Sequence, residues 1–160
     1  MSLHLTVTPQ GASEVLFTRS FSAPRPVVWR AMTDPALILR WLWARDHPMT
    51  RCDQDLRPGG SLRWEWAMPG GGLMGVSGRY LEIVPPARIV HTELFDEDWT
   101  GGETKVSLEL EEMGPEHTLM RLTVTYPNAV ARAAALATPM AEGMDEGYAR
   151  LETLLPLFKD

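Results

Sequence analysis

The stretch "RPGGSLRWEWAMPGGG", Arg57 to Gly72, decides how the rest of the chain is read. Glycine pairs and triplets mark a turn at each end, and between them Leu62, Trp64 and Trp66 alternate with Arg63 and Glu65. Alternation with a period of two is the mark of a strand that buries one face. Two tryptophans on that face need something to lean on, either a filled core or a space kept for another molecule.

Outward from this strand the same period continues. Segments at about 50–56, 61–67, 73–84, 87–95, 104–112 and 117–126 read as strands separated by turns rich in Gly and Pro. The connections are too short for helical crossovers, so neighbours pair antiparallel as a meander. Val106, Leu108 and Leu110 alternate with Lys105, Ser107, Glu109 and Glu111, which leaves one face wet.

Before the meander, residues 14–21 form a first strand. Pro24 and Pro26 then admit a short helix carrying Val27, Val28, Ala31 and Met32, and Asp34-Pro35 caps and opens a second one reaching about Trp43. After it, Asn128 caps a short alanine-rich helix, and Thr138-Pro139 opens a longer one to about Leu157. Met140, Met144, Tyr148 and Leu151 recur on that last helix at spacings of three and four, an apolar stripe suited to lying on a sheet. The expected architecture is α+β: a seven-stranded antiparallel sheet, curved by its twist, with two short helices after strand 1 and a long C-terminal helix over the concave face.

The chain of 160 residues is sized for one domain, taken as 1–160 with its core between about 14 and 158. No apolar run approaches the roughly 20 residues needed to span a bilayer, and the N-terminus lacks a basic head before an apolar stretch. A cytoplasmic protein without a membrane partner is expected. The net charge of -6 speaks against nucleic acid as a partner. Cys52, the one cysteine, has no partner for a disulfide.

Four phrases in order, "FSAPRPVVWRAMTDPALILRWL" at 21–42, "DLRPGG" at 55–60, "GRYLEIVPPARIVHTELFD" at 78–96 and "MAEGMDEGYARLETLL" at 140–155, resemble the helix-grip proteins of the START-like or SRPBCC superfamily. They are most similar to the branch named after the activator of the heat-shock-protein-90 ATPase. The resemblance covers about Val15 to Leu157. It implies a space between curved sheet and long helix, which relatives use for hydrophobic molecules, sometimes for cyclisation or hydrolysis, whereas the namesake binds a chaperone. The chain departs from its relatives at "WLWARDHP", 41–48, where a second aromatic and Gly-Pro are common.

The residues themselves nominate a site. Trp64 and Trp66 share a face with Leu62, and are either core filling or a wall. Gly143 and Gly147, one turn apart on the last helix, serve either close approach to the sheet or room for a ligand. Met74, Met140 and Met144 are ordinary core or a deformable lining. In "ARIVHTELF", 87–95, His91 and Glu93 share parity with Ile89 and Phe95; if that set points inward, a carboxylate enters an apolar space and needs a partner. Arg19, on the parity of Val15, Phe17 and Phe21, is one candidate, and Tyr80, Tyr126 and Tyr148 are others. If the parity is shifted by a bulge, Glu93 is a surface charge.

No metal-binding His/Cys spacing, GxSxG elbow or phosphate loop is present; "GGGLMG" at 70–75 lacks the following Lys-Ser/Thr and reads as a hairpin turn. The carboxylates of "FDEDWTGGE", 95–103, read as solvating charge, with Trp99 as a lid, an anchor or a plug. The first expectation is therefore binding of a small hydrophobic or aromatic molecule, without cofactor or metal. Trp64, Trp66, Tyr80, Met144 and Tyr148 would give its shape, and Glu93 with His91 or Arg19 a polar anchor. The alternatives are an enzyme with Glu93 or His91 as acid and base, and a module that activates a chaperone. A homodimer through a sheet edge or the short helices is compatible with edges that need protection.

Overall fold

A computed structural model describes residues 2–159. The chain runs β1 (Thr6–Gln10), β2 (Glu14–Phe21), α1 (Arg25–Thr33), α2 (Pro35–Ile38), β3 (Met49–Gln54), β4 (Ser61–Ala67), β5 (Leu73–Val84), β6 (Arg88–Phe95), β7 (Thr104–Gly114), β8 (His117–Thr125), α3 (Ala129–Leu136) and α4 (Met140–Leu154). The sheet has eight strands, not seven, in the order β1-β2-β8-β7-β6-β5-β4-β3, and all the pairs are antiparallel. The additional strand is β1, which folds back through Gly11 so that Gln10 lies opposite Glu14. As an edge strand it is exposed at most positions and carries Pro9, so it shows no apolar alternation.

Local chemistry sets the helix ends. The Asp34 carboxylate accepts from the Ala36 amide at 3.0 Å and the Asn128 side chain from the Ala131 amide at 2.8 Å, each satisfying a free donor of a first turn. The helix α2 is one turn long and stops at Ile38 instead of reaching Trp43. The carbonyls of Trp41 and Trp43, beyond its end, are taken up by Arg150. The helix α4 starts at Met140, where the Thr138 hydroxyl accepts from the Met140 amide at 3.3 Å, and its last turn tightens to a 3-10 turn at Leu155–Leu157.

The core lies between the concave face and the helices. Val15, Phe17 and Phe21 of β2, Val76 of β5 and Met120 of β8 are fully enclosed, as are Leu151 and Leu155 at the far end of α4. Among the described residues no helix is long and apolar enough to cross a membrane.

Candidate functional site on the concave face

Cross-strand partners share a face of a sheet, so the pairing fixes which residues look inward. Tyr80 opposes His91, His91 opposes Val106, and Glu93 opposes Thr104; Tyr80, Val106 and Thr104 are all buried. His91 and Glu93 therefore stand on the concave face. The register shift of β5 falls between Tyr80 and Glu82, beyond the pair, and leaves their parity intact.

The two side chains meet. His91 Nε2 lies 2.8 Å from Glu93 Oε2, and since a carboxylate only accepts, the imidazole donates there. The His91 side chain is 10% exposed and that of Glu93 19%. On the other side of the ring His91 Nδ1 is enclosed and, among the described residues, has no hydrogen-bond partner. The rings of Trp64 and Tyr80 flank the imidazole, with centroids at 5.7 and 6.0 Å.

Arg19 is buried on the same face as Phe17 and Phe21, yet it does not hold Glu93. Its Nη1 donates to Glu152 Oε1 of α4 and to the Ser20 carbonyl, both at 3.0 Å, and the guanidinium lies 4.8 Å from the Phe21 ring centre. The last helix thus supplies its own acid to that arginine, which leaves His91 as the partner of Glu93.

The three tyrosines are raised mainly by burial, with Glu93 adding to each. Burial first, with Glu93 next, pushes the Tyr126 hydroxyl up to about 12. Burial raises Tyr80 well above the ordinary phenol range, with the Cys52 thiolate and Glu93 adding to it. It raises Tyr148 likewise, with Glu93 adding and Arg19 opposing. Tyr148 is packed between Trp41, 5.6 Å away, and Phe21, 5.9 Å away and edge-on.

Gln54, at the end of β3, organises the wall opposite and went unnoticed in the sequence. Its Oε1 accepts from Tyr80 Oη at 3.1 Å, from Trp64 Nε1 at 3.3 Å and from Cys52 Sγ at 3.8 Å, while its Nε2 donates to the Thr33 carbonyl at 2.7 Å. The signal was available: Gln54 is the uncharged polar residue sharing parity with Cys52 between charged neighbours. Trp66 is buried, meets Trp64 edge-on at 6.4 Å and donates to the Leu42 carbonyl at 2.7 Å.

Gly143 and Gly147 neither open room for a ligand nor bring α4 to the sheet. A Cβ on Gly147 would lie 3.1 Å from the Trp41 carbonyl oxygen, and one on Gly143 would lie 3.1 Å from Ala44 Cβ. Their face of α4 receives the segment after α2. Arg150 clamps that segment, donating to the Trp41 and Trp43 carbonyls at 3.1 and 2.6 Å with its guanidinium 3.5 Å over the Trp43 ring.

Around the His91–Glu93 pair the inward face is incompletely covered. Phe95 and Trp64 both oppose buried Val76, Leu122 opposes buried Leu108, and Val124 opposes buried Val106, so all four point inward; yet all four are half-buried, as are Met74, Met140 and Met144. Trp99 in the β6–β7 loop packs on Phe95 with ring centres 4.9 Å apart. Two depressions of about 400 and 380 Å³ lie elsewhere, one beside Thr18 and Leu119, the other between Trp99 and α3. Among the described residues no three His, Cys, Asp or Glu side chains gather to hold a metal ion.

The sequence model of the family described as Activator of Hsp90 ATPase homolog 1-like protein matches residues 22–156. Among curated proteins none matches the chain. A crystal structure of a Rhodobacter sphaeroides protein is similar at 38% identity, covering 96% of this chain and 99% of that one with a TM-score of 0.90. A Nitrosomonas europaea protein is 24% identical over 92% of this chain and 96% of its own, with a TM-score of 0.81. An Arthrobacter aurescens protein is 22% identical over 95% and 91%, with a TM-score of 0.85. The last two share the fold.

Proposed function

The chain belongs to the Activator of Hsp90 ATPase homolog 1-like family, and from that premise we propose that it holds a small, largely apolar or aromatic molecule on its concave face, anchored at His91 and Glu93. One observation carries the reading: a hydrogen-bonded imidazole and carboxyl group stand inside an apolar face, with one imidazole nitrogen enclosed and, among the described residues, unpartnered. Buried polar groups are normally satisfied, and those that are not tend to sit where a ligand or a reaction uses them. The half-buried inward residues around the pair, Trp64, Phe95, Leu122 and Met144, supply adaptable apolar and aromatic contact of the kind that small-molecule sites use.

A second reading, acid–base chemistry at the same place, draws on the 2.8 Å bond by which Glu93 orients His91. It differs from the first in predicting turnover that Glu93→Gln removes while binding persists.

Titration with naphthalene-type probes, followed by tryptophan emission and by methyl NMR, tests the binding reading. Saturable quenching with shifts at Met144 and Leu122 is expected. Shifts confined to the convex face, or no saturation, would overturn it.

A further inference from the structure

We infer that the depression between the β6–β7 loop and α3 docks a cationic amphipathic helix of a partner protein. The inference does not rest on the concave-face reading.

The sequence of α3, AVARAAAL, has one polar side chain, and the rest of the molecule uses it: Arg132 Nη1 donates to the carbonyls of Gln10, Gly11 and Glu14 at 3.1, 3.0 and 3.2 Å. Ala131 and Ala135 turn inward to the cluster of Val15, Phe17 and Tyr126. Val130, Ala133 and Ala134, with Ala137 just past the end, recur at spacings of three and four and are exposed, Val130 to 80%. A helix at a surface ordinarily turns a polar face to water, so one that is apolar on both sides has a face still to be covered. Alanine on that face lets a second helix come close.

Beside this face lies the depression of about 380 Å³, lined by Val130 and Ala134 on one side and by Asp98, Trp99 and Gly101 on the other. The loop wall is fixed in place. Gly101 sits so close to α3 that a Cβ on it would lie 2.6 Å from Ala131 Cβ, and the Asp98 carboxylate accepts from the Gly102 amide at 2.6 Å. Trp99, braced by Phe95, gives the wall an indole, a side chain that often anchors interfaces.

Charge selects the occupant. The carboxylates of Glu97, Asp98 and Glu103 form no ion pair among the described residues, whereas Asp96 of the same loop is held by Arg63 at 2.7 Å. Lys105, the next cation along the chain, leaves the rim negative. A second copy laid on the same face about a two-fold axis would bring two such rims together with no compensating cations. Nucleic acid and anionic lipid are repelled likewise. A helix with large apolar residues on one side and Lys or Arg flanking them satisfies both the bare face and the rim.

The test uses three labelled synthetic helical peptides: one with leucines on one face flanked by lysines, one with glutamates for the lysines, and one with serines for the leucines. By fluorescence anisotropy the Leu/Lys peptide should saturate and bind about tenfold more tightly than either control, and weaken severalfold as salt rises from about 50 to about 300 mM. Amide resonances of Gly101, Val130 and Ala134 in the unmodified protein should move with it. Val130→Asp, at a position already in water, should abolish the binding, and Glu97→Lys with Glu103→Lys should turn the preference toward the glutamate peptide. Equal binding of the lysine and glutamate peptides, equal binding of the serine peptide, or shifts confined to other surfaces would overturn the inference. Self-association by sedimentation that Val130→Asp removes would overturn it in favour of a second copy.

Discussion

Gly147 lies against the carbonyl of Trp41, so close that a Cβ would sit 3.1 Å from the oxygen and 3.6 Å from that of Trp43. Both oxygens are fixed by Arg150 and cannot easily retreat. Gly147→Ala should therefore lower stability by about 1 kcal/mol or more even though alanine gains up to about 1 kcal/mol in helix propensity. Gly143→Ala, facing only the Ala44 methyl, should lose less. Urea unfolding of both variants measures the difference, and a stabilised Gly147→Ala would contradict the contact.

Arg150→Lys keeps the charge but removes the fork that reaches two carbonyls and the flat face that covers Trp43. A loss of about 1–2 kcal/mol is expected, with faster amide exchange along residues 41–45. Unchanged exchange there would mean that the segment is held by packing alone.

Gln54→Met preserves shape and deletes the acceptor of Tyr80 and Trp64 together with the donor to Thr33. Leaving such groups unpaired should cost at least about 2 kcal/mol by chemical denaturation. A near-neutral result would show that these groups find other partners.

The alkaline limb of stability follows from the tyrosines. All three, Tyr80, Tyr126 and Tyr148, are raised above the ordinary value of 10.0 mainly by burial, and Cys52 is raised from 9.0 to about 12 by burial and the nearby charges of Asp53 and Asp34. Below these ordinary values the groups are neutral in both states and their contribution is fully present. Above them the unfolded chain ionises first, so stability should fall between about pH 9 and about pH 12, the values for Cys52. Tyrosinate absorbance should rise together with loss of circular dichroism. Gradual ionisation near pH 10 with the fold intact would contradict the burial.

How much of this was legible depends on the period of the signal. The strict alternation of "ARIVHTELF" placed His91 and Glu93 on one face, and pairing with Tyr80, Val106 and Thr104 shows that face to be the concave one. The choice of partner was not legible. Glu152 lies far from Arg19 in sequence and reaches it only because of the angle at which α4 is set. Likewise the two glycines announced a close approach, but the surface approached belongs to an irregular segment that has no period to read. The exposed edge strand β1 was invisible for a related reason, since a strand with no buried face leaves no alternation.

The pairing of β2 with β8 joins Phe21 to Thr118 and Glu14 to Thr125, across about two thirds of the chain. The hairpins from β3 to β8 close locally, whereas this seam closes a loop of roughly 100 residues at a large entropic cost. His91, Glu93 and Trp64 belong to the local part, while Arg19 and Phe21 lie on the other side of the seam and α4 reaches both. A molecule gripped between them thus adds its binding energy to the least local step of folding, and its presence should be felt first as slower unfolding.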